Sequence, residues 1–139
     1  MNIDDLIDKL ATWSAAQLTL EYANTPREVW AHRINFDDAA DTVSVFRSGG
    51  GVDLGWDLAG GPIVQVMTYA ATEAAALIRA GQIAELFKSG NLPRRSWTDL
   101  TGWYVRAVDL IGPPTPVGQD ESKRAQISFN LRLIAAQTS

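Results

Sequence analysis

Apolar residues recur at Ile3, Leu6, Ile7, Leu10 and Trp13, the spacing that puts one stripe along a helix. Asn2 can cap that helix, and Asp4 and Asp5 fall in its first turn, where the macrodipole favours negative charge. The pattern then changes period. Glu28 to Phe36 carries Val29, Trp30, Ile34 and Phe36, and Thr42 to Arg47 is rich in β-branched residues. With the short polar link Asp37-Asp38-Ala39-Ala40-Asp41 between them, the two read as an antiparallel strand pair. Ser48 to Pro62 (SGGGVDLGWDLAGGP) holds six glycines, too many for a regular element and too long for a tight hairpin, so a mobile loop is expected.

After Pro62, IVQVMTYA predicts a strand, and Thr72 caps a helix running to Phe87 with Arg79, Gln82, Glu85 and Lys88 on one side. Gly90 and Pro93 mark its end. Trp103 to Ile111 is a further β-prone run, which Gly112, Pro113, Pro114 and Pro116 are expected to terminate. The clearest signal comes last: Ala125, Ile127, Phe129, Leu131 and Leu133 alternate with Gln126, Ser128, Asn130 and Arg132, as in a strand with one buried face. The predicted order is α-β-β-β-α-β-β with hairpin-like connections at both ends, an α+β fold with helices packed on a mainly antiparallel sheet. The 139 residues show neither an internal repeat nor a linker and are read as one domain, 1–139.

Composition narrows the chemistry. The chain has no cysteine, which removes disulfides, thiolate catalysis and cysteine-ligated zinc. Its apolar stretches fall short of the roughly 20 residues of a membrane span, and its acidic start, MNIDDLID, is unlike a signal peptide. A product of the cytoplasm with no membrane partner is expected. A net charge of −4 opposes a role in gripping phosphate backbones, although it permits nucleic acid to pass without adhering.

Candidate catalytic groups are sparse. His32 is the sole histidine and falls in the pattern of an early strand, where a structural or surface role is expected. Asp37, Asp38 and Asp41 lack calcium-loop spacing and read as turn residues, so no metal is assigned. The tract Ser48-Gly49-Gly50-Gly51 could let backbone amides approach an anion, but neither a Lys-Ser or Lys-Thr pair nor a helix follows it. Arg94, Arg95, Trp97 and Trp103 mix cations with aromatics, which suits base stacking or protein contact; the acidic balance favours contact. Asp4 with Asp8, and Asp120 with Glu121, read as solvated acidic faces. No catalytic, cofactor or metal site is assigned, and the protein is read as a non-enzyme whose loops serve contact.

Several segments together resemble the tail terminator (tail completion, or minor capsid) proteins of long-tailed phages. They are the N-terminal Leu/Ile helix, the strand ending VSVFRSGGG, the Pro-led strand and Ala-rich helix GPIVQVMTYAATEAAALI, and the late pattern AVDLIGPPTPVGQDESKRAQISFNLRLI. The resemblance spans nearly the whole chain, although the family often has Arg where this chain has MTYA before its second helix. It implies a virion protein made in the host cytoplasm. Such a protein forms a ring, typically a hexamer, that caps the tail tube protein, ends polymerisation and presents its other face to a head-completion or connector protein. DNA would pass through the lumen without specific binding.

The candidate assembly residues are then Arg47, Gly49, Gly50, Gly51, Trp56, Arg94, Arg95, Trp97, Pro114 and Pro116. The loop from Ser48 to Gly61 is expected to become ordered only at a tube or neighbour contact, because so many glycines lose much entropy when fixed. Two alternatives stand beside this: another virion part, such as a tail tube or head-completion protein, and a small-molecule binding domain using the Gly-rich loop.

Overall fold

A computed structural model of the chain describes residues 3–49, 63–88 and 103–137. Among these residues two helices and five strands follow in the expected order: α1 (Ile3–Leu18), β1 (Arg27–Ala31), β2 (Ala39–Ser48), β3 (Ile63–Ala70), α2 (Glu73–Leu86), β4 (Trp103–Gln119) and β5 (Ala125–Gln137). The strands form one sheet in the order β1-β2-β3-β5-β4, in which every neighbouring pair but the first is antiparallel.

Both helices pack on one face of the sheet. In α1, Leu6, Ile7, Leu10, Ala11, Ser14 and Ala15 are buried, a single stripe at helical spacing. In α2 the stripe is Ala76, Ala80, Ile83 and Ala84, and the alanines allow a close approach to the sheet. The sheet answers with Phe46, Val64, Val66, Ile127, Phe129 and Leu131, alternate residues that point the same way. Phe87, the C-terminal cap of α2, joins the layers, its ring 5.6 Å from Trp13 and 6.4 Å from Phe46. Thr72 caps α2 as expected, its side chain accepting from the Ala75 amide. The predicted cap at Asn2 lies outside the described residues.

Two expectations are corrected. The pair β1–β2 is parallel, and β1 stops at Ala31, so Ile34 and Phe36 belong to no strand. His32 adopts φ +70°, which no extended strand accommodates, and its amide donates its last bond to the Phe46 carbonyl before the chain turns back. Residues 32–38 then return to the start of β2, with Phe36 set edge-on against Tyr69 at 5.3 Å. One consequence is that Asp41, expected in a turn, lies within β2.

The second correction concerns β4, which does not end at Gly112 but continues through the prolines to Gln119. As the outermost strand among the described residues it has one edge free of sheet partners, where a proline's missing N–H costs no ladder bond. The ladder absorbs the prolines through bulges: Ile111 faces Asn130 and Thr115 faces Ser128, so Gly112, Pro113 and Pro114 together oppose Phe129.

Candidate interaction surface

The assembly residues named from the sequence fare differently. Arg47 lies inside β2, and its Nε donates to Gln65 Oε1 at 2.7 Å, while Gln65 Nε2 donates to Ser128 Oγ at 3.2 Å. That chain of side chains crosses three strands on the face away from the helices. Gly49 closes the β2–β3 ladder by donating to the Ile63 carbonyl at 2.8 Å. A Cβ there would stand 3.0 Å from Ile63 Cγ2 and 3.2 Å from the Gln65 amide nitrogen, so the glycine permits a close backbone approach. Gly50, Gly51, Trp56, Arg94, Arg95 and Trp97 lie outside the described residues, as does most of the loop expected to order on contact.

Pro114 and Pro116 are brought together on the outer strand. The stretch from Ile111 to Gln119 is exposed apart from the half-buried Pro114, and Gly112 and Gly118 bracket it with φ of +74° and +107°. Thr115 Oγ1 donates to the Pro113 carbonyl at 2.8 Å, pinning the bulge locally. Two large apolar side chains stand in solvent here, Ile111 at 40% and Val117 at 52% exposure.

A second apolar surface was not foreseen. On α2, Leu77 and Ile78 are 44% and 65% exposed. Ala74 and Gly81 share their side of the helix at the i, i+3/i+4, i+7 spacing. Arg79 bends inward to Glu28, Nη2 to Oε2 at 3.4 Å, and contributes no charge to this strip. The sequence did hold a signal: EAAALIRAGQIAEL is apolar on more sides than one buried stripe requires.

Polar groups are used structurally. His32 stands between two carboxylates of α1, with Nε2 3.2 Å from Asp8 Oδ1 and Nδ1 4.0 Å from Asp4 Oδ1. Asp120, expected to be solvated, instead organises the β4–β5 turn. It accepts from the Ser122 and Arg124 amides at 3.0 and 2.8 Å, and Arg124 Nη1 donates to its other oxygen at 2.9 Å. Partial burial pushes its carboxyl up, but these bonds and the Arg124 charge outweigh it and hold the group below the usual aspartate value. Glu21 is likewise lowered, by the Asn24 and Ala23 amides that donate to Oε1.

A cleft of about 290 Å³ opens at this end of the sheet, lined by Phe36, Ala39, Asp41, Ala71, Ser122 and Lys123 among others. The Arg124 guanidinium lies 4.0 Å over the Phe36 ring at its margin. Among the described residues no group of three or more His, Asp or Glu side chains is placed to hold a metal ion. No described helix is long and apolar enough to cross a membrane. Comparison with protein-family models gives no match for this chain, and comparison with curated proteins finds none of significant similarity.

Proposed function

We propose that this chain is a non-catalytic assembly protein of the phage tail, a terminator that closes into a ring on the end of the tail tube. The observation that supports this reading best is the proline bulge of β4, a rigid, uncharged projection exposing Ile111 and Val117, on a fold whose described polar clusters are internal braces. A contiguous apolar surface, unlike a single exposed side chain, marks contact with another macromolecule. The ring would sit between the tail tube protein and a head-completion or connector protein, in the virion. Six copies at −4 each would carry about −24, a charge that repels DNA phosphates and lets the genome slide through the lumen.

Light scattering across a concentration series, with and without tail tubes, tests this. A ring, free or formed only on tube ends, is the expected result; a monomer that ignores tubes would overturn it.

The cleft beside Phe36 and Lys123 favours a second reading, a small-molecule binding domain, although not the pocket expected from the Gly-rich loop. It requires a thermal shift on adding a phosphate ester or nucleotide and loss of that shift in Lys123→Ala.

A further inference from the structure

We infer that the proline bulge of β4 in one copy seats on the exposed strip of α2 in the next copy, and that this contact closes the ring. The inference rests on the ring reading above and names the surfaces that would make the ring.

What can dock on the bulge is restricted by its backbone. Pro113, Pro114 and Pro116 have no N–H to offer, so a partner strand cannot extend the sheet past them. The bulge must be met by side chains, as the face of a helix meets them. Proline φ angles are fixed in advance and Thr115 pins the turn, so little entropy is lost on docking.

The strip on α2 has the complementary features. Ile78 is the most exposed of the large apolar residues described, and Leu77 lies beside it. Gly81 sits in the helix interior, where glycine is destabilising relative to alanine. A Cβ there would meet nothing within 4 Å, so packing among the described residues gives no reason for the glycine. A pyrrolidine ring or the Val117 side chain of another molecule, resting on the bare backbone, supplies that reason.

The occupant is a second copy because one chain carries both halves. Copies with a net charge of −4 repel, and this repulsion is least opposed where two uncharged surfaces meet. Ile111–Gly118 contains no charged residue, and on α2 Ala74, Leu77, Ile78 and Gly81 are uncharged, with Arg79 on another side of the helix and the mutually neutralised Glu85–Lys88 pair one turn beyond Gly81. Two different patches meeting head to tail form a heterologous contact, the kind that generates closed rings.

The cysteine-free sequence makes the test specific. Full-length Ile78→Cys and Val117→Cys chains are prepared separately, mixed, and treated with a short bis-maleimide; the double variant is treated in parallel. The mixture should yield a covalent dimer that neither single variant gives alone, and the double variant a ladder ending at the ring. Ile78→Asp should keep the wild-type circular dichroism spectrum, since the residue is on the surface, while losing the ring in light scattering.

A ring of normal mass that shows no cross-link between positions 78 and 117, or one that survives Ile78→Asp, would overturn this contact and leave the ring reading standing. Absence of any oligomer in the wild type, free or on tubes, would overturn both.

Discussion

At the scale of single residues, Asp120 fastens the β4–β5 hairpin. It bonds two amides and one guanidinium, and these are lost together in Asp120→Ala. Hydrogen bonds of this kind contribute about 1 kcal/mol each, more with a charged partner, so urea denaturation at neutral pH should show a loss of about 1–3 kcal/mol. The pH dependence has a definite sign. Because the folded carboxyl is held below its ordinary value, its contribution is complete above that value and is lost as pH falls through the lowered one. The gap between wild type and Asp120→Ala should therefore narrow as pH falls below the ordinary aspartate range; a gap of constant size would assign the bonds no electrostatic share. The second residue-scale case is the buried pair Ser44 Oγ and Thr68 Oγ1, 2.7 Å apart and both fully buried. Thr68→Val strands the Ser44 hydroxyl and should cost about 1–3 kcal/mol, whereas Ser44→Ala combined with Thr68→Val should cost less than the sum of the two singles.

At the scale of elements, α2 carries the sharpest expectations. Thr72→Ala removes the acceptor for the Ala75 amide and should lower stability by about 1 kcal/mol in chemical denaturation. Gly81→Ala should act in the opposite direction on the isolated chain, raising stability by up to about 1 kcal/mol, because its methyl group meets nothing. Helices were the most legible elements in the sequence: Leu6, Ile7 and Leu10 announced α1, and Thr72 marked the start of α2. Strand β5 was as clear, since strict alternation from Ala125 onward has one structural meaning. What sequence reasoning lost was pairing, which is a long-range property. Nothing local in Glu28 to Phe36 reveals that β1 runs parallel to β2, because that depends on His32 adopting a positive φ and the chain doubling back. The prolines after Ile111 misled for a related reason: a proline ends a central strand but is tolerated at the edge, and edge position is known only once the sheet is assembled. The candidate surface was half legible. Pro114 and Pro116 stood out by composition, whereas Leu77 and Ile78 were concealed in a helix that looked sufficiently explained by its buried alanines.

At the scale of the whole molecule, the sheet treats its two edges differently. Along β1, the Glu28 and Val29 amides both donate to the Glu21 carbonyl, so a loop covers that margin. Along β4, the prolines make the distal half unfit for pairing with another strand. Both devices restrain indefinite edge-to-edge stacking, in keeping with the single closed layer proposed above. We propose that these chains close into a ring at the end of a tail tube. The most direct test is to add purified protein to tail tubes from the same source and image the ends by negative stain, with the mass of the free protein measured in parallel by light scattering. A single annular layer on tube ends and no further tube growth are the expected result. Bare ends, together with a free protein that stays monomeric at every concentration, would contradict it.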